Sequence, residues 1–190
     1  MSQDVKELVV ASHGEWSVAP VGTTIPDDPK AALDKAFAGL GLISEDGIKF
    51  SRGITIQDFK AWQKKSAVRR ESTDEEVMAS ASLEQWNADN FAFAFGGGEV
   101  EEVKSGLFKY VFPSAEAALA EYASVIRWSD KGFDYQLAFE RGNVTEQVEV
   151  NLKRSDLAQL PIGYKALAGE GDDLGVSLVT NDPAFNPAGS

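Results

Sequence analysis

Between residues 133 and 140 the chain alternates strictly: Phe133, Tyr135, Leu137 and Phe139 are separated by Asp134, Gln136, Ala138 and Glu140. A period of two places successive side chains on opposite faces, so this run predicts a β-strand with one buried face. Val77, Ala79, Ala81 and Leu83, alternating with Met78, Ser80, Ser82 and Glu84, predict another. Further strands are expected at Val144, Val148, Val150 and Leu152, at Leu160, Ile162, Tyr164 and Ala166, and in VSLVT, VKSGLFKYVF and YASVIRW. Pro161 has no N–H to give a ladder, which predicts an edge or strand-end position there. Asp130-Lys131-Gly132 supplies a turn into the strand at 133. Residues 114–121 fit either a helical turn or an Ala-rich lead into YASVIRW.

Helical spacing is scarcer. Leu33, Phe37 and Leu40 recur at i, i+4, i+7 in AALDKAFAGLGLI and predict a short helix ending near Gly39 or Gly41. Ser82-Leu83-Glu84-Gln85 fits a capping box, so QWNADNFAFAF, closed by Gly96, Gly97 and Gly98, is expected to be helical, with Phe91 and Phe95 one turn apart. GEWSVAPVGTTIPDDP reads as a strand and a polar loop without a domain boundary. The expectation is a mainly β protein, one antiparallel sandwich or barrel over residues 1–190 with one or two short α-helices. Residues 1–12 would form an N-terminal arm, 54–83 an extended hairpin arm and 181–190 a mobile tail with two prolines.

In that hairpin the pattern breaks. Ile54 and Ile56 share one face while Phe59 and Ala61 share the other, which predicts a bulge near Asp58. From Gln63 to Glu76 only Ala67 and Val68 could join a core, so a long loop is expected. The segment carries Lys64, Lys65, Arg69 and Arg70, then Glu71, Asp74, Glu75 and Glu76. A long stretch with so little apolar anchoring is rarely fixed by its own subunit.

Composition narrows the chemistry. A chain of 190 residues, 43% of them hydrophobic, is long enough to bury roughly 70% of its unfolded surface. It contains no cysteine, which removes disulfides and thiolate metal sites and fits a reducing cytoplasm. The N-terminus lacks a basic lead and a long apolar run, and no apolar stretch approaches membrane-spanning length, so a soluble chain is expected. Without a secretion signal, the Asn143-Val144-Thr145 triplet would not meet the glycosylating enzyme. The net charge is −12, and residues 71–103 hold nine acids and no Lys or Arg, which would repel a phosphate backbone.

His13 is the only histidine, so a Ser-His-Asp triad would depend on one residue near the N-terminus, and a structural zinc site lacks ligands. Glu101 and Glu102, as strand neighbours, point to opposite faces and do not converge on a substrate. Glu170, Asp172 and Asp173 lack the ordered spacing of a calcium loop. The glycine runs at 39–41 and 96–98 carry no Walker lysine and read as helix ends. Trp16, Trp62, Trp86 and Trp128 are assigned to core packing. No catalytic residue, cofactor site or metal site is therefore assigned.

Order along the chain is more informative. WSVAPVGTTIP, then AALDKAFAGLGLISEDGI, DFKAWQ, VRR and a strand ending in LEQWNADNFAFAFG together resemble the major tail tube protein of long-tailed, non-contractile bacteriophages. The likeness is strongest over residues 16–98; beyond it the succession of strands, with KGFDYQLAFERGNV, is similar. The resemblance implies a structural virion protein that is not an enzyme and uses no cofactor. It also implies hexameric rings stacked into a tube, partners among other tail proteins such as the tape measure and terminators, and DNA leaving through the lumen without specific binding. Assembly would occur in the host cytoplasm and residence in the virion tail. In this reading the hairpin of residues 54–83 is an assembly arm, and Lys64, Lys65, Arg69, Arg70, Glu71, Asp74, Glu75 and Glu76 are subunit-interface residues that meet opposite charges on identical neighbours. Six subunits lending about four strands each would give a backbone circle roughly 48 Å across. The alternative reading is a monomeric β-sandwich module that binds carbohydrate or peptide through exposed aromatics. An enzyme built on distant carboxylates ranks third.

Overall fold

The structure, a computed structural model, describes residues 7–114, 119–144, 148–169, 171 and 173–186. The strands are β1 (Gly14–Pro20), β2 (Ala38–Gly39), β3 (Lys49–Lys60), β4 (Ala67–Leu83), β5 (Glu99–Lys104), β6 (Leu107–Val111), β7 (Glu121–Asp130), β8 (Phe133–Val144), β9 (Leu160–Ala166) and β10 (Val176–Thr180). One helix, α1 (Ala88–Ala94), lies between β4 and β5. The fold is the mainly β, antiparallel sandwich that the alternation predicts.

The main sheet runs β2-β1-β7-β8-β9-β4-β3, with β10 also on β8. β8 is long enough to serve two neighbours on one side. Its first half pairs with β10, from Tyr135 opposite Thr180 to Phe139 opposite Val176. Its last residues pair with β9, from Gly142 opposite Ala166 to Val144 opposite Tyr164. The sheet then folds over itself. Trp16 on β1 and Tyr164 on β9 are three strands apart along the ladder, yet their rings lie 6.4 Å apart, edge to face. In a flat sheet three strand spacings would separate them by about 14 Å. Phe50 on β3 and Phe139 on β8, also three strands apart, are likewise 6.4 Å from each other.

The enclosed core holds Trp16, Leu83, Phe139, Leu160 and Tyr164, and the Phe93 ring of α1 stacks on Tyr164. Two buried polar groups are matched. Trp16 Nε1 donates to Ser124 Oγ at 2.7 Å, and the Tyr164 hydroxyl donates to the Tyr122 carbonyl at 2.6 Å. Burial, the larger cause, and then the Glu121 carboxylate push the Tyr164 hydroxyl above its usual range. Gly142 makes room for that ring: a Cβ there would stand 2.6 Å from Tyr164 and would also meet the Lys165 carbonyl.

Several expectations need correction. Residues 31–43 form no helix, because their donors are taken elsewhere: Ala36 N–H bonds to Asp34 Oδ1 (2.9 Å), Phe37 N–H to Asp34 O (3.0 Å) and Leu40 N–H to Trp16 O (2.8 Å). An Asp side chain that caps its own backbone competes with a helix. The Ser82–Gln85 capping box is unused, since Ser82 and Leu83 are still strand. Asn87 caps α1 instead, its Oδ1 accepting Asn90 N–H at 2.8 Å, and the Gln85 side chain accepts Leu42 N–H. Residues 148–152 are not a strand; Val148 and Val150 lean on the core while Leu152 is exposed.

β8 does not have the single buried face predicted for it. Gln136 is as buried as its apolar neighbours, because the loop after β1 covers the outer face. Its amide oxygen accepts from Arg127 Nε and Nη2, its nitrogen donates to Pro26 O, and Arg127 Nη1 reaches Ala31 O. Pro161 does sit at a strand end, opposite Ser82, where β8 does not reach. The turn at Lys131-Gly132 has both residues at positive φ, as a tight hairpin requires. Residues 115–118 of the 114–121 segment, along with Glu170 and Asp172, lie outside the described residues, as do 1–6 of the arm and 187–190 of the tail. In its described part the tail forms a 3-10 turn, Pro183–Phe185.

Candidate assembly interface

Two hairpins project from the body. In the first, β4 leaves the ladder with β9 beyond Met78, so from Ala67 to Val77 β3 is the only strand paired with it among the described residues. β3 in turn ends the sheet. The result is a two-stranded ribbon; Arg52–Lys60, nine residues, spans about 30 Å. It is not the long loop expected from the sequence: pairing continues to Lys60 opposite Ala67, which leaves only residues 61–66 as the turn. β-branched Thr55, Ile56, Val68, Thr73 and Val77 suit such pairing. The predicted register shift near Asp58 occurs as two irregularities, one on each side of it, between Thr55 and Ile56 and between Phe59 and Lys60. The extra residues, Thr73 and Val68, belong to β4 rather than to the strand carrying Asp58.

All twelve residues of β3 are exposed, among them Phe50, Ile54, Ile56 and Phe59. Trp62, assigned to the core from sequence, is 100% exposed in the turn. Trp16 is in the core, Trp128 stacks on Tyr135, and Trp86 is exposed but donates to Ala158 O and packs on Phe91.

The charged residues of the ribbon are largely matched within the chain. Arg52 pairs with Glu75 at 2.6 Å, Arg70 with Asp58 at 2.8 Å, Arg69 with Glu71, and Lys165 of β9 with Glu76 at 2.8 Å. The Glu76 carboxylate raises the Lys165 ammonium above its ordinary range, and Asp74 adds to that. Lys64 and Lys65 in the turn form no ion pair among the described residues. Such exposed pairs contribute about 0–1 kcal/mol each; two of the four, Arg52–Glu75 and Arg70–Asp58, tie β3 to β4.

The second hairpin, β5–β6, is a separate sheet turned at Ser105-Gly106. Its base is anchored on α1. Tyr110 packs on Phe91 and Phe95, Phe112 packs on Phe95, and the Tyr110 hydroxyl donates to Gly97 O at 2.5 Å. Its outer part is uncovered, leaving Val103, Leu107 and Phe108 exposed. The sequence reading gave this run a strand but no special role. The available signal was Ser-Gly between two apolar runs, which marks a hairpin.

The groups considered for catalysis stay apart. His13 contacts Ser12 Oγ, Glu101 pairs with Lys109, and Glu102 accepts Gly106 N–H. Among the described residues no three His, Asp or Glu are grouped to hold a metal, and no helix is long and apolar enough to cross a membrane. The sequence profile of a family described as phage tail tube protein matches residues 1–190.

The chain belongs to that family.

No curated protein matches it. For a tail tube protein, the ribbon and the short hairpin are what the body leaves over. Both expose apolar side chains on two-stranded pieces, which are marginally stable alone. In the body Arg141 grips Glu121 through two 2.7 Å bonds, lowering the carboxyl and raising the guanidinium.

Proposed function

We propose that this tail tube protein is the major tail tube subunit of a long-tailed, non-contractile phage. Its copies close into rings, six to a ring, and the rings stack into the conduit that carries DNA into the host. The ribbon supports this reading most directly: a twelve-residue edge strand, exposed along its whole length and bearing Phe50, Ile54, Ile56 and Phe59. Bare edges of this kind pair with another chain unless something blocks them. When each subunit offers one edge and accepts another, the contact is head-to-tail and can close into a ring.

In this reading Lys64, Lys65, Arg69, Arg70, Glu71, Asp74, Glu75 and Glu76 stay at the subunit interface. The internal ion pairs change their role: they hold the ribbon straight, and Lys64 and Lys65 remain for acids of a neighbour. The net charge of −12 keeps phosphates off the wall, so DNA passes without specific binding. Assembly takes place in the host cytoplasm, with tape measure and terminator proteins setting where the tube starts and stops. Sedimentation and electron microscopy of concentrated protein test the reading. Rings or tubes are expected; a chain that stays monomeric at every concentration and salt overturns it.

A further inference from the structure

We infer that the β5–β6 hairpin of one copy seats in the apolar cleft at the other end of a second copy. This rests on the reading that copies of the chain self-assemble. The cleft is about 1210 Å³ and is lined by Leu42, Phe50, Trp128, Leu137, Val176 and Leu178, among others. It exceeds the roughly 300–1,000 Å³ of small-molecule pockets and suits a piece of folded chain.

Placement selects the occupant. The hairpin is rooted on α1, whose Phe93 packs on Tyr122 near the start of β7. The cleft is lined by Trp128 near the end of β7. Those two points are separated by about 20 Å along the strand. A projection at one end and a depression at the other fit a head-to-tail contact that repeats from copy to copy. The ribbon is a poorer occupant, because its own root, through Phe50, Arg52, Glu75 and Val77, forms a wall of the cleft.

One cation at the hairpin tip favours this seating. Lys104 lies at the hairpin tip, and Glu45 and Asp173 line the cleft. None of the three forms an ion pair among the described residues.

The absence of native cysteine makes the test clean. Phe108→Cys and Leu42→Cys are prepared separately; both side chains are largely exposed, at 66% and 63%, so folding should be kept. The two are mixed, assembled and oxidised beside the unmodified protein. The expected result is a disulfide-linked dimer from the mixture and none from either variant alone. Tubes without that cross-link overturn the seating and leave self-assembly standing, as does a Phe108→Cys variant that links to itself. Failure of the unmodified protein to polymerise overturns both. Independently, Lys104→Glu should reduce tube yield and Glu45→Lys with Asp173→Lys should restore it; an undiminished yield with Lys104→Glu counts against the seating.

Discussion

Strands β3 and β9 both carry several large apolar residues, in strict alternation only in β9, and these meet opposite fates. In β9, Leu160, Ile162 and Tyr164 are at most 2% exposed; in β3, Phe50, Ile54, Ile56 and Phe59 are 40–58% exposed. β9 lies between β8 and β4 and under the folded-over sheet, whereas β3 has β4 alone. Alternation therefore shows that a strand has an apolar face. It does not show which molecule covers that face. The body covers its own apolar faces, while the two hairpins leave theirs exposed.

The widest separation between the two regions should come from Tyr164→Ala. The ring fills the middle of the core against Trp16, Phe93 and Phe139, and its loss should lower stability by about 3–5 kcal/mol. Urea unfolding of the monomer would measure this. A loss under about 1 kcal/mol, the range of ordinary surface changes, would mean the body is not the cohesive unit that its burial indicates. Trp16→Phe keeps most of the packing but leaves the buried Ser124 hydroxyl without its donor, so the expected loss is smaller, about 1–3 kcal/mol.

The described tail lies between these extremes. The Tyr135 hydroxyl donates to Asp182 Oδ2 at 2.5 Å, and Phe185 leans on the same ring. That bond, the main cause, raises the Tyr135 hydroxyl from its usual 10.0 to about 12 and lowers Asp182 below its usual 3.8. A raised acid contributes stability that is complete below pH 10 and lost as the pH climbs through about 12; a lowered carboxyl contributes stability that is present above 3.8 and lost on further acidification. The tail should thus release at both extremes while the body persists. Fluorescence of Trp128, which stacks on Tyr135, would report it, and Tyr135→Phe should abolish the alkaline step. An alkaline step that survives in Tyr135→Phe would assign it to another group.

The contrast also explains what could be read from the sequence. β1, β7, β8, β9 and the body half of β4 were legible because their apolar faces are satisfied within the chain. The helix expected at 31–43 failed because Asp34 caps its own turn and Trp16 takes the Leu40 donor, a tertiary bond that i, i+4 spacing does not register. Gln136 was misplaced because the loop that covers it is distant in sequence. On the ribbon the charged residues could be named from the sequence, but the pairing of Arg52 with Glu75 and Arg70 with Asp58 across β3 and β4 could not, since register depends on the extra residues Thr73 and Val68. Trp62 was sent to the core on residue type alone.

The smallest change in monomer stability should carry the largest change in assembly. Ile56→Ser and Trp62→Ser alter side chains that are 58% and 100% exposed, far from the core. Surface substitutions of this kind shift stability by about 0.5 kcal/mol or less. The same side chains are among those an assembled neighbour would bury, and aromatic anchors in such contacts commonly dominate the binding free energy. The double variant should therefore unfold at the same denaturant concentration as the parent yet give few or no tubes in electron micrographs. Removal of residues 63–76 should act likewise, leaving a folded monomer. If instead either variant destabilises the monomer while tubes still form, the ribbon belongs energetically to the body, and the division between a finished core and unfinished arms is wrong.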